Sequence, residues 1–382
     1  MSSLKAALTT ENGQLERMLD FVEHDPNNLR LIADTALLAA QAGEPEIVSQ
    51  LVEKYEALAP LSPQLRNLRA QASMAAGHWN EAVDQLSALV SDAGPDPVLK
   101  FNLAWAFAML SRHSEALTLL DEATVAASPR APALRVHMMH HLGLFEEALA
   151  EADSLAERFP DNHELNGALA VLAIDGEDPE AARKFAERAA DHSNEAATSL
   201  GTLLLNDFAV EEASAHFERA LDLAPNDPRA HVGKGLALLT QGRAGALTSL
   251  DRGAELFGDH IGSWIAAGWA YFTQGDLARA KERFERALEI DENFAESHGA
   301  LAVLDVLAGD IDGGQRRADV ALRLDRQCYA AILAKSLLLE NEGKAGAAEA
   351  LRKRALAMPI DEGGMTITQA LAGFGLKRGG KR

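Results

Sequence analysis

The residues best equipped for chemistry are a run of imidazoles, His137-Met138-Met139-His140-His141, followed further on by His163. His137 and His141 stand four apart, which places them on one helical face. Two imidazoles so spaced can hold zinc or nickel. A metal centre also needs a third ligand and oriented outer partners, and no Glu lies between the histidines as it does in zincins. The run is therefore expected to be a polar surface that titrates near neutral pH. His137 and His141 are the low-weight metal candidates. Cys328 is the lone cysteine, so no disulfide framework or thiolate cluster is available. With no histidine near it in sequence, it reads as a buried structural thiol. Gly313-Gly314 and Gly363-Gly364 lack the strand and phosphate-loop context of a nucleotide site. The pairs Glu146-Glu147 and Glu211-Glu212 fall at expected helix starts, where the dipole favours acids. No catalytic residue and no cofactor is expected, and the chain reads as a non-enzyme.

Composition narrows the classes further. The chain has 382 residues, 47% of them hydrophobic and 5% aromatic, with a formal charge of −21. That apolar content supports a packed fold. Abundant alanine with few aromatics suits close helices better than a β-sandwich. The charge argues against nucleic acid, which demands clustered Lys and Arg. No apolar run approaches membrane-spanning length. The opening residues lack a signal-peptide core, so a cytoplasmic protein is expected.

The elements that must position these residues recur at a near-constant spacing. Frames aligned on a small residue begin at Leu29, Pro63, Pro97, Pro129, Asn162, Asn194, Pro228, Ile261, Ala295 and Tyr329, 32 to 34 residues apart. Pro with Asn or Asp punctuates the junctions, as in Phe159-Pro160-Asp161-Asn162 and Ala224-Pro225-Asn226-Asp227. Gly43, Gly77, Gly143, Gly176, Gly242, Gly275, Gly309 and Gly343 mark turns inside the frames. Small residues follow at Ala82, Ala116, Ala148, Ala181, Ala213, Ala246, Ala280 and Ala348.

The best frame reads Trp264, Gly268, Tyr271, then Gly275, Ala280, Phe284 and Ala287. This pattern resembles the tetratricopeptide-repeat family, over roughly residues 15 to 360. The resemblance implies an all-α superhelical solenoid of about ten helix–turn–helix repeats. Its divisions are a half-repeat cap over 1–28, the array over 29–362, and a cap with a basic tail over 363–382. Departures include Ser111 where a turn glycine is usual, Gly314 for Ala and Val48 for Ala.

Family geometry implies that places two, five, nine, twelve and thirteen of each unit face a concave groove. Those places include Phe101, Trp105 and Met109; His137, His140 and His141; and Asn166 and Asn206. In the best unit Ile265, Trp269 and Phe272 point inward. These are the partner-binding candidates. The helix from Pro97 is apolar on both faces, and one face must find a use beyond packing the array. One branch of the family grips acidic chaperone tails with a Lys/Asn/Lys/Arg clamp. The matching places here are Ala33, Leu37, Asn67, Gln71, Phe101, Trp105, Ala133 and His137, so that ligand does not carry over. The expected partner is another protein or peptide with an apolar segment, as for an adaptor, scaffold or chaperone-like protein. The alternative is a self-assembling homo-oligomer, built tail-to-groove or end-to-end. A weaker alternative is metal or pH sensing through the His137–His141 cluster.

Overall fold

The computed structural model describes residues 2–94 and 96–357, without the side chains of 2–12 and 93. The expected cap and basic tail over 363–382 lie outside the described residues. The chain divides into two compact units, Met1–Gly176 and Glu177–Arg382. Every described regular element is an α-helix.

In the first unit, α1 (Ser2–His24) precedes four helix pairs and a further helix. The pairs are α2 (Leu29–Gln41) with α3 (Pro45–Glu56), and α4 (Pro63–Ala75) with α5 (Trp79–Ala93). Next come α6 (Pro97–Met109) with the divided α7 (His113–Leu119) and α8 (Glu122–Ala127), then α9 (Ala131–His141) with α10 (Phe145–Arg158), and α11 (His163–Asp175). In the second unit, α12 (Pro179–Ala189) precedes α13 (Asn194–Asn206) with α14 (Val210–Leu223), and α15 (Pro228–Thr240) with α16 (Ala246–Phe257). It continues through α17 (Ile261–Thr273) with α18 (Leu277–Ile290), α19 (Ala295–Leu307) with α20 (Ile311–Leu324), and α21 (Tyr329–Asn341) with α22 (Ala345–Leu356).

The helix starts follow from their caps. Side chains of Asn28, Ser62, Asp96, Asn162, Ser193 and Asp227 accept from the first free backbone N–H groups of α2, α4, α6, α11, α13 and α15. Pro at the first turn of α4, α6 and α15 supplies a backbone angle already suited to a helix. Asp121 breaks the second helix of the third pair. It caps α8 through Thr124 N at 2.9 Å and receives Lys100 Nζ at 2.7 Å. The lysine, then these caps, hold its carboxyl down to about 2.

Close helix approach depends on glycine in the second unit. The Phe284 ring lies where a Cβ on Gly268 would sit, 2.3 Å away. Phe217 does the same to Gly201 at 2.8 Å and to Gly233 at 2.2 Å. All three helices therefore seat a buried phenyl ring directly on backbone. Across the same unit, Tyr271 donates to Asp251 at 2.6 Å while Arg283 grips that carboxylate at 2.8 and 3.0 Å.

The turns correct one register. The expected turn glycine Gly176 has φ −88°, while Glu177 takes φ 59°. The left-handed residue occupies the same place in each repeat, so the fifth repeat begins at His163 rather than Asn162. Ser111 and Phe208 likewise adopt φ 58° and 63° where glycine is usual. Such a conformation costs a non-glycine residue about 1 kcal/mol. Ser111→Gly is thus expected to raise the unfolding free energy by roughly 0.5–1 kcal/mol, read by urea denaturation. A destabilised variant would contradict this account of the turn.

Candidate functional site

The first-helix wall of the first unit is built mainly by α6. Val98, Phe101, Trp105 and Met109 follow the three-to-four spacing that keeps them on one helical face. Their opposite neighbours Leu103, Ala104, Ala106 and Phe107 fill the core. Val98 is 51% and Met109 50% exposed, while Phe101 and Trp105 are half-buried. The Phe101 and Trp105 ring centroids are 6.1 Å apart. Arg130, immediately before α9, lies over the indole at 4.0 Å. Its Nε is 3.9 Å from Glu164 on α11. A cation–π stack of this kind fixes the guanidinium and covers one face of Trp105.

The histidines divide into separate environments. His137 is pushed down to about 4, first by burial and then by His140, against a smaller opposing effect of Glu164. His141 stacks on His113 of α7, centroids 4.4 Å apart and planes 9° apart. Burial, then His113, His140 and His137, lowers its pKa. His140 meets Asp175 of α11 at 2.8 Å and packs edge-on against Phe145. Among the described residues, no group of three or more His, Cys, Asp or Glu side chains is arranged to hold a metal ion. His140 and His141 tie neighbouring helices together, each through a different contact.

Two expected wall residues are placed elsewhere. Asn166 is only 1% exposed and donates to the Asn162 carbonyl at 2.9 Å. The one-residue register shift puts it at the packing place that Trp264 fills in its own repeat. Ile265 is 9% exposed and belongs to the core cluster shared by α17 through α21. Asn206 is exposed at the end of α13. Sequence reasoning missed Arg130, Asp175 and Glu296. Asp175 becomes a wall residue once the fifth repeat starts at His163. Arg130 and Glu296 each hold the second place of a repeat, so the wall pattern itself could have found them.

In the second unit, Trp269 and Phe272 of α17 pack edge-to-face at 5.2 Å. With Leu333 and Leu337 of α21 they surround Val303 of α19. Leu307, at the end of α19, is 48% exposed. One carboxylate is set into this apolar surface. Glu296 accepts from the Cys328 thiol at 3.2 Å and from the Trp269 side chain, with the Ala330 N–H at 3.5 Å. Burial raises its pKa, and the hydrogen bonds oppose that rise. Burial and then the Glu296 charge push Cys328 up to about 12, so the thiol stays protonated and unreactive.

Two opposite pH responses follow. Folded His137 resists protonation, whereas the unfolded residue accepts a proton near 6.5. Its stability contribution is complete above pH 6.5 and falls as pH drops toward 4, by up to about 3 kcal/mol. His137→Gln should flatten that decline in pH-resolved thermal unfolding; an unaltered decline would refute it. Glu296 has the reverse sign. Its raised carboxyl is best tolerated below 4.5 and weakens the fold as pH rises above that value. Glu296→Gln should therefore raise the melting temperature at pH 7 more than at pH 4. A loss of stability at both values would contradict the burial cost.

Comparison with known proteins agrees with this architecture. The tetratricopeptide-repeat family pattern matches residues 67–132, 200–246 and 262–294. A stretch of 137 residues, 35% of the chain, is 28% identical to Protein CTR9 homolog of Arabidopsis thaliana, and the match spans 13% of that relative. A solved IFIT1 monomeric mutant with Gppp-AAAA superposes with a TM-score of 0.50 at 15% identity, covering 90% of this chain and 94% of that one. Cut9 from the APC/C hetero-tetramer Cut9–Hcn1 gives 0.48 at 13% identity, covering 91% and 84%. The IFIT1 likeness concerns the fold alone. No described helix is long and apolar enough to cross a membrane. Repeated helix pairs, left-handed turns at one fixed place and three matched segments together give this chain a tetratricopeptide-repeat architecture.

Proposed function

We propose that this chain is a non-catalytic protein-binding scaffold whose first-helix walls hold an apolar segment of a partner protein. The observation that carries the reading is the outer face of α6. Val98 and Met109 are about half exposed beside Phe101 and Trp105, although the core of that helix is filled by other residues. A contiguous apolar face of this kind is a recurrent mark of an interaction surface. Aromatic side chains already held by neighbours lose little freedom on binding.

Phe101, Trp105 and Met109 are the anchors in the first unit, with His140 and His141 as the polar edge. Trp269 and Phe272 are the corresponding anchors in the second unit. Arg130 covers one face of the Trp105 anchor and already faces Glu164, so the apolar surface is what this wall chiefly offers a partner. Nucleic acid is the poorer fit, because the net charge of −21 repels phosphate. A cytoplasmic setting belongs to the same reading and suits a single buried thiol.

The test is partner capture by the full chain, followed by calorimetry of the captured protein against wild type and Trp105→Ala. An anchor residue predicts a loss of about 2 kcal/mol or more, roughly thirtyfold in Kd. Equal affinities, with helicity unchanged, would remove the α6 wall from the binding site.

A further inference from the structure

The second unit carries an apolar surface larger than its own packing uses. Trp269, Phe272, Leu333 and Leu337 gather around Val303, and Leu307 stands 48% exposed beside them. The chain continues for 25 residues past Ala357. Within that stretch Ile367, Leu371 and Phe374 recur at four and three residues, a spacing that shares one helical face. Lys377, Arg378, Lys381 and Arg382 follow, with no acid among the last six residues.

We propose that residues 365–382 of the same chain dock along the wall formed by α17, α19 and α21. Ile367, Leu371 and Phe374 cover Leu307, Leu333 and Phe272, and the basic residues lie beside acidic turns. The wall reading is shared with the proposed function, yet the occupant here is the chain's own segment and the site lies in the second unit alone.

Reach permits it. Seven residues separate Ala357 from Met365, and each spans up to about 3.3 Å. From α22, α21 is the next helix and α19 packs against α21, at interaxial steps of about 8–10 Å.

Charge favours the wall at the end of α19 over the outer side of α22. On the outer side of α22, Arg352 and Lys353 pair with Glu340 and Glu349, and the exposed Arg354 adds a positive charge that disfavours a basic segment. The turn after α19 and the first turn of α20 carry Asp310 and Asp312, both exposed, whereas Glu340 and Glu342 beside the end of α21 already pair with Arg352 and Lys344. Attachment to the same chain favours this occupant over a second copy, because a short tether gives an effective concentration of about millimolar.

The test is side-chain footprinting by carbene labelling of the full-length chain, read by mass spectrometry. Wild type is compared with the double variant Leu371→Asp and Phe374→Asp. Docking predicts that labelling of Phe272, Leu307 and Leu333 rises several-fold in the variant, while Trp105 is unchanged. The wall-side variant Leu307→Asp, at an exposed position, should raise labelling of Phe374 by a similar factor. Raised salt should enhance labelling in wild type alone. Unchanged wall labelling in both variants overturns the proposal. A rise confined to Leu356 and its neighbours on α22 makes the segment an end cap and also overturns it. Protection that disappears on dilution, with a dimer in sedimentation, assigns the wall to a second copy and overturns the same-chain contact. Loss of Trp105-dependent partner binding with this footprint intact would sink the proposed function and leave the present inference standing.

Discussion

The second unit depends on a phenyl ring seated directly against a helix backbone. Phe217 and Phe284 occupy space that a single methyl on Gly201, Gly233 or Gly268 would claim. Each ring is fully buried, a contribution of about 2–3 kcal/mol in transfer terms alone. In an array where a pair touches only its neighbours, every such contact is local and the array is a sum of them. The consequence reaches the wall. A second helix that closes tightly on one side of a first helix leaves that helix's other side without protein to cover it. On α6 this side is apolar and exposed at Val98 and Met109, which solvent exposure alone would not favour.

The repeat was legible because it is written in residues whose conformational roles are narrow. Proline opens a helix, Asn or Asp caps one, and glycine tolerates a left-handed turn. Those rules located the repeats from Leu29 to Tyr329 and predicted paired helices throughout. They failed where the chain breaks the rule. Gly176 is a glycine with an ordinary right-handed angle, and its neighbour Glu177 bears the left-handed one. Taking the glycine as the marker displaced the fifth repeat by one residue. A one-residue error rotates a helical side chain by about 100°, enough to move Asn166 from core to wall on paper. Ile265 misled differently: the place counts as outward in the repeat pattern, yet the side chain belongs to the core cluster.

Other parts of the wall were beyond sequence spacing because they arise between repeats. The Arg130–Trp105 stack, the His140–Asp175 contact and the Cys328–Glu296 hydrogen bond join residues 25 to 35 positions apart. Each needs a rotamer and a helix separation that no single repeat encodes. The histidine run shows the cost of reading one segment alone. Its i to i+4 spacing suits a metal, but packing turns His137 into the protein and pairs His141 with a ring from α7.

The two walls differ in a way that bears on what they can hold. Around Trp105 the polar groups are a guanidinium that faces Glu164 and imidazoles, one of which meets Asp175. Around Trp269 the polar group is a buried carboxylate already given hydrogen bonds by a thiol and the tryptophan side chain. A buried acid accepts further donors only by giving up these or by gaining a cation. The polar groups of the first wall are thus already paired with one another, while those of the second surround a single carboxylate.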